Sequence, residues 1–250
     1  MGFLPTTKTV KKTDNPKNLI MFGLPKVGKT TALAQLPDCL IVDLENGTDY
    51  IEGYTVKANS IQDLNKIAKA LKDEEHHFKF VALDTVTALE EMALPLAKKL
   101  YMDTPMGKNF DGDNVLKLPN GAGHLYLRQA VQQIIGWFEK VVDNVILIGH
   151  VKDKSLTEGG TELNVKTLDL GGKLSNILAA NSDAICYLYR DTTTGDLMAN
   201  FGDMNSVLTG ARMPHLAGKT IQLAERKQNE KGEWEIVTHW ERIYPSLRNE

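Results

Sequence analysis

Short apolar runs alternate with segments of helical periodicity over most of the chain. The segments with apolar positions at helical spacing are residues 30–35, 60–71, 86–100 and 124–142, and the second opens with Ser60 and Asp63 in the Ser-x-x-Asp pattern of a capping box. The apolar runs are short and partly β-branched, which is typical of parallel strands covered on both faces. The alternation predicts an α/β fold, with a mostly parallel twisted sheet, right-handed crossovers and helices on both faces. The runs occupy residues 19–22, 39–43, 78–84 and 145–150.

The pattern changes after residue 182. In "DAICYLYRDTTTGDLMANF" a Thr-Gly-Asp turn separates two apolar runs, and in "TIQLAERKQNEKGEWEIVTHWERIY" the turn is Asn-Glu-Lys-Gly. Both stretches predict β-hairpins at the far edge of the sheet. Two long glycine-rich connections also interrupt the chain, at residues 102–123 and 151–172. Connections of this length in a compact domain are usually functional or mobile.

Composition narrows the class of protein. A chain of 250 residues, 42% hydrophobic and 24% charged, is long enough to bury a full core as one large domain. The net charge of −3 argues against a wholly basic nucleic-acid binder but leaves room for local basic patches. Cys39 and Cys186 lie in apolar runs, so we expect packed thiols and no disulfide or zinc site. With no apolar run of roughly 18 residues and no signal-peptide core at the N-terminus, the sequence predicts a cytoplasmic protein without membrane contact.

The segment "LIMFGLPKVGKTTALAQL" carries the most specific motif of the sequence. Gly23 to Thr30 fits G-x-x-x-x-G-K-[ST], with a strand before it and a helix after it, as a phosphate-binding P-loop requires. In such a loop the backbone N–H groups converge on the phosphates, Lys29 reaches the β- and γ-phosphates, and the Thr30 hydroxyl ligates Mg²⁺. The motif predicts ATP and Mg²⁺ as ligands. The predicted nucleotide-binding residues are Gly23, Lys26, Val27, Gly28, Lys29, Thr30 and Thr31.

Acidic residues at two other strand ends complete the predicted chemistry. Asp84 ends the apolar strand of "FKFVALDTVTAL" and is predicted to ligate the metal together with Thr30. The residue after it is Thr85, so a catalytic base must come from another strand. In "CLIVDLENGTDY", Asp43 and Glu45 would project from one side if the extended conformation continues. Either acid can then orient the attacking water; the alternative is that both are solvated loop residues.

The order of these motifs resembles the RecA-like recombinase ATPases, and most of all the small core-only recombinases encoded by phages. The resemblance covers about residues 18–190, from the P-loop through strand-DLE, strand-DT and strand-GH to "VKDKSLTEGGTELNVKTLDLGGKLSNIL". It implies Glu45 as the base that polarises water, beside the catalytic Lys29, and His150 at the position of a polar γ-phosphate sensor. RecA has glutamine at that position, so His150 departs from the pattern; a structural, hydrogen-bonded histidine is the alternative.

The resemblance also implies that the two long connections line a path for single-stranded DNA. Their acidic residues dilute the charge, and Phe110 is their only aromatic residue, so binding would rest on the DNA backbone with little sequence specificity. The alternative is that both are solvated mobile loops. The predicted DNA-binding residues are Lys108 and Lys117 for the first connection, and Lys152, Lys154, Lys166 and Lys173 for the second.

RecA-like ATPases act between subunits, with a basic group of the neighbour closing the site. Arg190 and Arg212 are the candidates for that trans-acting charge, and surface salt bridges are the alternative for each. Phe3 is a candidate contact to a neighbouring subunit. We therefore expect a homo-oligomer, either a filament or a ring. The predicted organisation is an N-terminal interface arm at residues 1–17, a RecA-like ATPase core at 18–225, and a C-terminal β extension of the same domain at 226–250.

The functional prediction is an ATP-dependent, single-stranded-DNA-binding recombinase-like ATPase that promotes strand annealing or exchange. A single-strand binding protein is a further candidate partner, and a phage-encoded protein would act in the host cytoplasm. Three alternatives remain open: a helicase or helicase-loader motor, a P-loop nucleotide kinase, and a non-enzymatic ATP-gated binding protein. A kinase is disfavoured because neither long connection contains an arginine for a phosphate lid.

Overall fold

A computed structural model describes residues 4, 6–8, 10–11, 13–158, 161–202, 206–229 and 231–249, without the side chains of residues 156–158, 161–163 and 249. Phe3 lies outside the described residues. The helices are α1 (Lys29–Ala34), α2 (Ile61–Asp73), α3 (Val86–Met92), α4 (Leu94–Met102), α5 (Ala122–Phe138) and α6 (Leu174–Asn181). The strands are β1 (Asn18–Gly23), β2 (Cys39–Asp43), β3 (Tyr54–Lys57), β4 (Phe80–Asp84), β5 (Asn144–Glu158), β6 (Thr161–Leu168), β7 (Ala184–Arg190), β8 (Leu197–Asn200), β9 (Gly210–Ala211), β10 (Thr220–Gln228) and β11 (Trp234–Thr238).

One sheet organises the described residues, in the order β11-β10-β8-β7-β1-β5-β4-β2-β3. The six strands from β7 to β3 in this order pair in parallel, whereas β8, β10 and β11 pair antiparallel at the other edge. This arrangement confirms the predicted α/β class, and both predicted C-terminal hairpins are present. The predicted boundary between residues 225 and 226 falls inside β10. Because the central strands are parallel, their carboxyl ends meet at one edge of the sheet.

The core has two layers, one on each face of the sheet. Ile20 and Phe22 of β1 pack in a cluster that includes side chains of α2 to α6, whereas Leu19 and Met21 pack in a second cluster with α1 and the C-terminal turns. All four of these side chains are buried. Alternate residues of β1 thus point to opposite faces of the sheet. Because both faces are covered, the central strands appear in the sequence as continuous apolar runs.

The predicted helices are present, with two main differences in their extent: α5 ends at Phe138 and not at residue 142, and one predicted helix is divided. Ser60 is the N-cap of α2, and its Oγ accepts the backbone N–H of Asp63 at 3.2 Å, which confirms the predicted cap. The single helix predicted over residues 86–100 is instead two helices, α3 and α4, which meet at Ala93. Pro95 explains the break, because proline has no N–H to continue the hydrogen bonding of α3.

The second long connection differs from its prediction. β5 continues past His150 to residue 158 and pairs antiparallel with β6, from Val151 opposite Leu168 to Glu158 opposite Thr161. The expectation of a long loop over residues 151–172 is therefore wrong, because most of its described residues form two paired strands. We call these residues, 151–158 and 161–168, the arm. The first connection, which the structure describes throughout, contains short 3-10 turns at Val115–Lys117 and Pro119–Gly121 and no strand.

Two further observations concern the sequence expectations. Cys39 and Cys186 are buried free thiols, as predicted, and burial raises the pKa of Cys39 to about 12. Within the described ranges, none of the helices combines the length and apolar character needed to cross a membrane.

Candidate nucleotide-binding site

The P-loop connects β1 to α1 and contains two left-handed residues, Lys26 at φ 61° and Gly28 at φ 113°. Side chains rarely adopt the conformation of Gly28, and a Cβ atom there would also lie 2.6 Å from Nη2 of Arg190. At Gly23 a Cβ atom would lie 2.5 Å from the carbonyl oxygen of Leu188 on the neighbouring strand. Gly23 is thus required by the close approach of the neighbouring strand, and Gly28 by its left-handed backbone conformation, independently of any ligand.

Lys29 folds back over the loop that carries it. Its side chain is buried, and Nζ donates to the carbonyl oxygens of Gly23 at 3.2 Å and Leu24 at 2.9 Å. Burial lowers the pKa of Lys29, and the nearby carboxylates of Asp84 and Glu45 act in the opposite direction. The ammonium group is therefore a desolvated cation beside two acids, which suits a site for a polyanionic ligand.

Thr30 and Asp84 meet as the sequence predicted. The Thr30 hydroxyl donates to Oδ2 of Asp84 at 2.6 Å, although the residues are 54 positions apart. Burial raises the pKa of Asp84, against the opposing effects of the Thr30 hydrogen bond and the Lys29 charge. A hydroxyl and a carboxylate side by side fit Mg²⁺, which takes few protein oxygens and completes its shell with phosphate and water.

Asp43 does not project into solvent beside Glu45. Strand β2 ends at Asp43, and the chain then turns, so the expected continuation of the extended conformation is wrong. The carboxylate accepts the backbone N–H groups of Glu45, Gly47 and Thr48 at 3.0, 3.2 and 3.0 Å, and the Thr48 hydroxyl at 2.7 Å. Burial alone would raise the pKa of Asp43, but these four hydrogen bonds lower it overall. Asp43 therefore organises the loop that presents Glu45.

Glu45 lies in a hydrogen-bonded group with Thr85 and His150. Its Oε1 accepts the Thr85 hydroxyl at 2.5 Å, and Nε2 of His150 lies 3.1 Å from Oε1 and 3.3 Å from Oε2. An ionised carboxylate can only accept, so this geometry assigns the imidazole proton to Nε2. The other ring nitrogen, Nδ1, is buried without a hydrogen-bond partner among the described residues. His150 sits on β5 directly opposite Gly23 of β1, which places it next to the P-loop.

These groups line one cleft of about 510 Å³, a volume within the usual range for small-molecule sites. Gly23 and Val27 of the predicted set do not line it; the Gly23 carbonyl accepts from Lys29 and the Val27 carbonyl accepts from Arg190. Sequence reasoning missed Thr48 and Ile51 as lining residues and Thr85 as a contact of Glu45. The position of Thr85 directly after Asp84 at a strand end is the signal that could have identified it. The predicted residues that line the cleft are Lys26, Gly28, Lys29, Thr30, Thr31, Asp43, Glu45, Asp84 and His150.

The two candidate arginines lie at opposite ends of strand β7. Arg190 ends β7 beside the P-loop of its own chain, where Nε donates to Val27 at 2.9 Å and Nη1 donates to Gly195 at 3.0 Å. Arg212 pairs with Asp183 at 3.2 Å, next to the first residue of β7. Arg190 is thus already engaged within its own subunit, and a trans-acting role stays a prediction for both arginines.

The predicted DNA-binding lysines do not form one continuous basic surface. Lys152 and Lys154 are two apart on β5 and share a face of the arm, whereas Lys166 lies opposite Asp153 on the other face and pairs with it at 3.1 Å. Lys152 pairs with Asp169 at 3.2 Å. The ends of the two long connections are neighbours, because Gly172 lies beside His124 at the start of α5. The remaining three, Lys108, Lys117 and Lys173, are exposed.

One comparison with known proteins, a family model, agrees with nucleotide binding in this cleft. A family model described as AAA domain matches residues 15–230. A search of curated proteins finds no match to the chain. Among solved structures, the chain is similar to one titled "Crystal structure of the RadB recombinase", at 17% identity and a TM-score of 0.44, over 90% of this chain and 92% of that chain.

Proposed function

The chain belongs to the AAA domain family of P-loop ATPases, and from this premise we propose that it is an ATP- and Mg²⁺-dependent recombinase-like ATPase that binds single-stranded DNA. In this proposal it acts as a homo-oligomer and promotes strand annealing or exchange. The observation that carries the proposal is the course of β5. This strand places His150 at the cleft and then continues without interruption into the arm.

Hydrolysis would be carried out by residues that already lie around the cleft. Lys29 would balance the charge of the β- and γ-phosphates, and Thr30 with Asp84 would hold Mg²⁺. The metal, when bound, withdraws negative charge from the phosphate oxygens. Glu45 would orient a water molecule and accept its proton as the water oxygen bonds to the γ-phosphorus, while the bond to the bridging oxygen breaks to release ADP and phosphate.

The contacts of Glu45 indicate which of its two oxygens would accept the proton from water. Thr85 and His150 both engage Oε1, whereas Oε2 has only the longer contact of 3.3 Å to His150. Oε2 is therefore the better placed oxygen to receive a proton from water. Thr85 would fix the orientation of the carboxylate, because its hydroxyl donates at 2.5 Å.

His150 would connect this chemistry to the arm. A γ-phosphate that competes for the Nε2 proton would weaken the contact with Glu45 and shift the ring at the base of the arm. The backbone of His150 also accepts the N–H of Asp169 at 2.9 Å, so both ends of the arm meet at this residue. A two-state change of this kind would make DNA affinity depend on the bound nucleotide.

The arm would then contact the DNA backbone through its lysines. Lys152 and Lys166 are held by Asp169 and Asp153, so they would have to exchange carboxylate partners for phosphates. Because such contacts depend on the phosphate charge and not on the bases, they would give weak sequence specificity.

The test is a titration of single-stranded DNA at fixed salt with non-hydrolysable ATP, with ADP and without nucleotide. Wild-type affinity should be highest with the ATP analogue, by roughly 5-fold or more, the lower range of typical couplings. His150→Ala should bind both ligands but show similar DNA affinity in all three states. A variant with Lys152, Lys154 and Lys166 replaced by alanine should bind DNA more weakly, with a salt dependence reduced by up to about three phosphate contacts.

Lys69→Ala is the matched control, because Lys69 is an exposed lysine on α2 that makes no predicted DNA contact. It should leave DNA affinity unchanged. Wild-type affinity that is equal in the three nucleotide states would contradict the proposal and favour the kinase or the non-enzymatic binding protein.

A further inference from the structure

Helix α3 links the nucleotide cleft to the base of the arm. It begins directly after Asp84, with Thr85 as its N-cap. Further along the helix, both carboxylate oxygens of Glu90 accept the backbone N–H of Gly171, at 3.0 and 2.9 Å. One turn earlier, the hydroxyl of Thr87 donates to the carbonyl oxygen of Asp169 at 3.2 Å. Helix α3, with its N-cap Thr85, thus contacts the carboxylate of Glu45 at the cleft and also the segment through which the arm returns to the core.

The segment 169–171 is also held from the side of β5. Lys152 pairs with Asp169 and donates to the carbonyl oxygen of Leu170. Leu170 is buried, so the segment is packed into the core and does not lie loose on the surface. Movement of this segment would therefore move the base of the arm with it.

Helix α3 has the rigidity that such a connection needs. Val86 and Leu89 are fully buried in the same core cluster as Leu170, and they hold the seven-residue helix against the sheet. Glu90 lies on another side of α3, and its side chain contacts residues 169–171 at a glycine. A Cβ atom at Gly171 would lie 2.8 Å from Oε1 of Glu90, so a side chain at this position would push the carboxylate away.

We propose that Glu90 is a positioning residue that transmits the nucleotide state of the cleft to the arm through its hydrogen bonds with Gly171. Binding of a nucleotide at Asp84 and Thr85 shifts the N-terminus of α3, and Glu90 carries that shift to residues 169–171. The consequence for DNA rests on the function proposed above, whereas the response of the arm to nucleotide does not.

Hydrogen exchange of backbone amides in residues 151–172 tests the response of the arm without DNA. Exchange is measured with and without non-hydrolysable ATP and Mg²⁺ in the wild type and in Glu90→Ala. Nucleotide should slow exchange in the wild-type segment by about 5-fold or more, in line with typical coupling factors, and by less than about 2-fold in the variant. ATP affinity should stay within about 3-fold of the wild type, because Glu90 does not line the cleft.

Three further variants separate coupling from a general loss of structure. Glu91→Ala is the matched control, since Glu91 is an exposed glutamate on the same helix, and it should behave as the wild type. Glu90→Gln keeps one carbonyl oxygen that can accept from Gly171, so it should retain most of the nucleotide response. Gly171→Ala should displace the Glu90 carboxylate from the other side and reproduce the effect of Glu90→Ala.

The outcomes distinguish this inference from the proposed function. Unchanged nucleotide protection of the arm in Glu90→Ala, or a wild-type arm that does not respond to nucleotide, would overturn the inference. A wild-type arm that responds through Glu90, in a protein whose DNA affinity ignores nucleotide, would support the inference and overturn the proposed function. If DNA affinity depends on nucleotide in the wild type and not in Glu90→Ala, both are supported.

Discussion

The replacement Asp43→Asn tests how the loop that carries Glu45 is held. Asp43 is only 2% exposed, and each of its oxygens accepts two hydrogen bonds. Oδ1 accepts from the N–H groups of Glu45 and Gly47, and Oδ2 accepts from the N–H and the hydroxyl of Thr48. Asparagine keeps one oxygen and replaces the other with an NH₂ group, which donates and cannot accept. Two donors of the loop therefore lose their partner whichever way the amide is turned.

The expected cost follows from this count. Each buried donor left without a partner costs about 1–3 kcal/mol, and the hydroxyl of Thr48 can rotate to recover part of that. We expect a loss of about 2–4 kcal/mol in the free energy of unfolding. For a chain of this length, 1 kcal/mol shifts the melting temperature by about 2–4 °C, so the variant should melt roughly 4–16 °C below the wild type.

Thermal unfolding followed by circular dichroism measures this difference. The control is Asp49→Asn, in the same loop, because Asp49 is exposed and forms only a surface pair with Lys57 at 2.5 Å. An exposed pair of this kind contributes little to stability, so the control should melt close to the wild type. A melting temperature of Asp43→Asn that equals that of the control would refute the assigned role of Asp43.

The same hydrogen bonds predict a pH dependence. They lower the pKa of Asp43 in the folded protein below its usual value of 3.8. The stability that the carboxylate contributes is therefore present above pH 3.8 and is lost as the pH falls through the lower folded value. The difference in melting temperature between wild type and Asp43→Asn should stay constant from pH 7 to about pH 5 and shrink below pH 3.8.

Three further replacements probe the cleft. Lys29→Ala should abolish ATP binding or turnover in a folded protein, because it removes the cation that balances the phosphates; unchanged turnover would exclude the P-loop assignment. Thr85→Val should lower kcat about 10-fold by freeing Glu45, whereas Thr85→Ser should retain kcat; equal rates for both would mean that the hydroxyl does not orient the carboxylate. Arg190→Gln should weaken ATP binding about 10-fold, since it releases the P-loop, whereas Arg212→Gln at the opposite end of β7 should not; equal affinities in a binding titration would mean that Arg190 does not hold the P-loop.

The parts of the fold that the sequence predicts are those encoded by neighbouring residues. The P-loop depends on glycines, a lysine and a threonine within eight positions, and the cap of α2 on Ser60 and Asp63 three apart. The buried strands are visible because both faces of the sheet are covered, so each strand is a continuous apolar run. The meeting of Thr30 with Asp84 also follows, because parallel strands bring their carboxyl ends to one edge.

The unpredicted parts depend on partners that come together only in the folded chain. Arg190 donates to Val27 across 163 positions, and no local pattern indicates that pairing. Asp43 turns inward because three backbone N–H groups and Thr48 surround it, and none of these interactions is visible in the order of residues. The arm did leave a signal: Gly159-Gly160, which lie outside the described residues, are a two-residue glycine turn between two segments of equal length, as in a hairpin sequence.

The most direct test of the central claim is the rate of ATP hydrolysis by the wild type and by Glu45→Gln, each with and without single-stranded DNA. The account predicts that the wild type hydrolyses ATP faster with DNA, and that Glu45→Gln binds ATP but is slower by roughly 10² or more in both conditions, as expected for loss of a general base. If Glu45→Gln hydrolyses ATP at the wild-type rate, Glu45 is not the base and the assignment of the cleft is wrong. A wild-type rate that is the same with and without DNA would contradict a DNA-dependent ATPase.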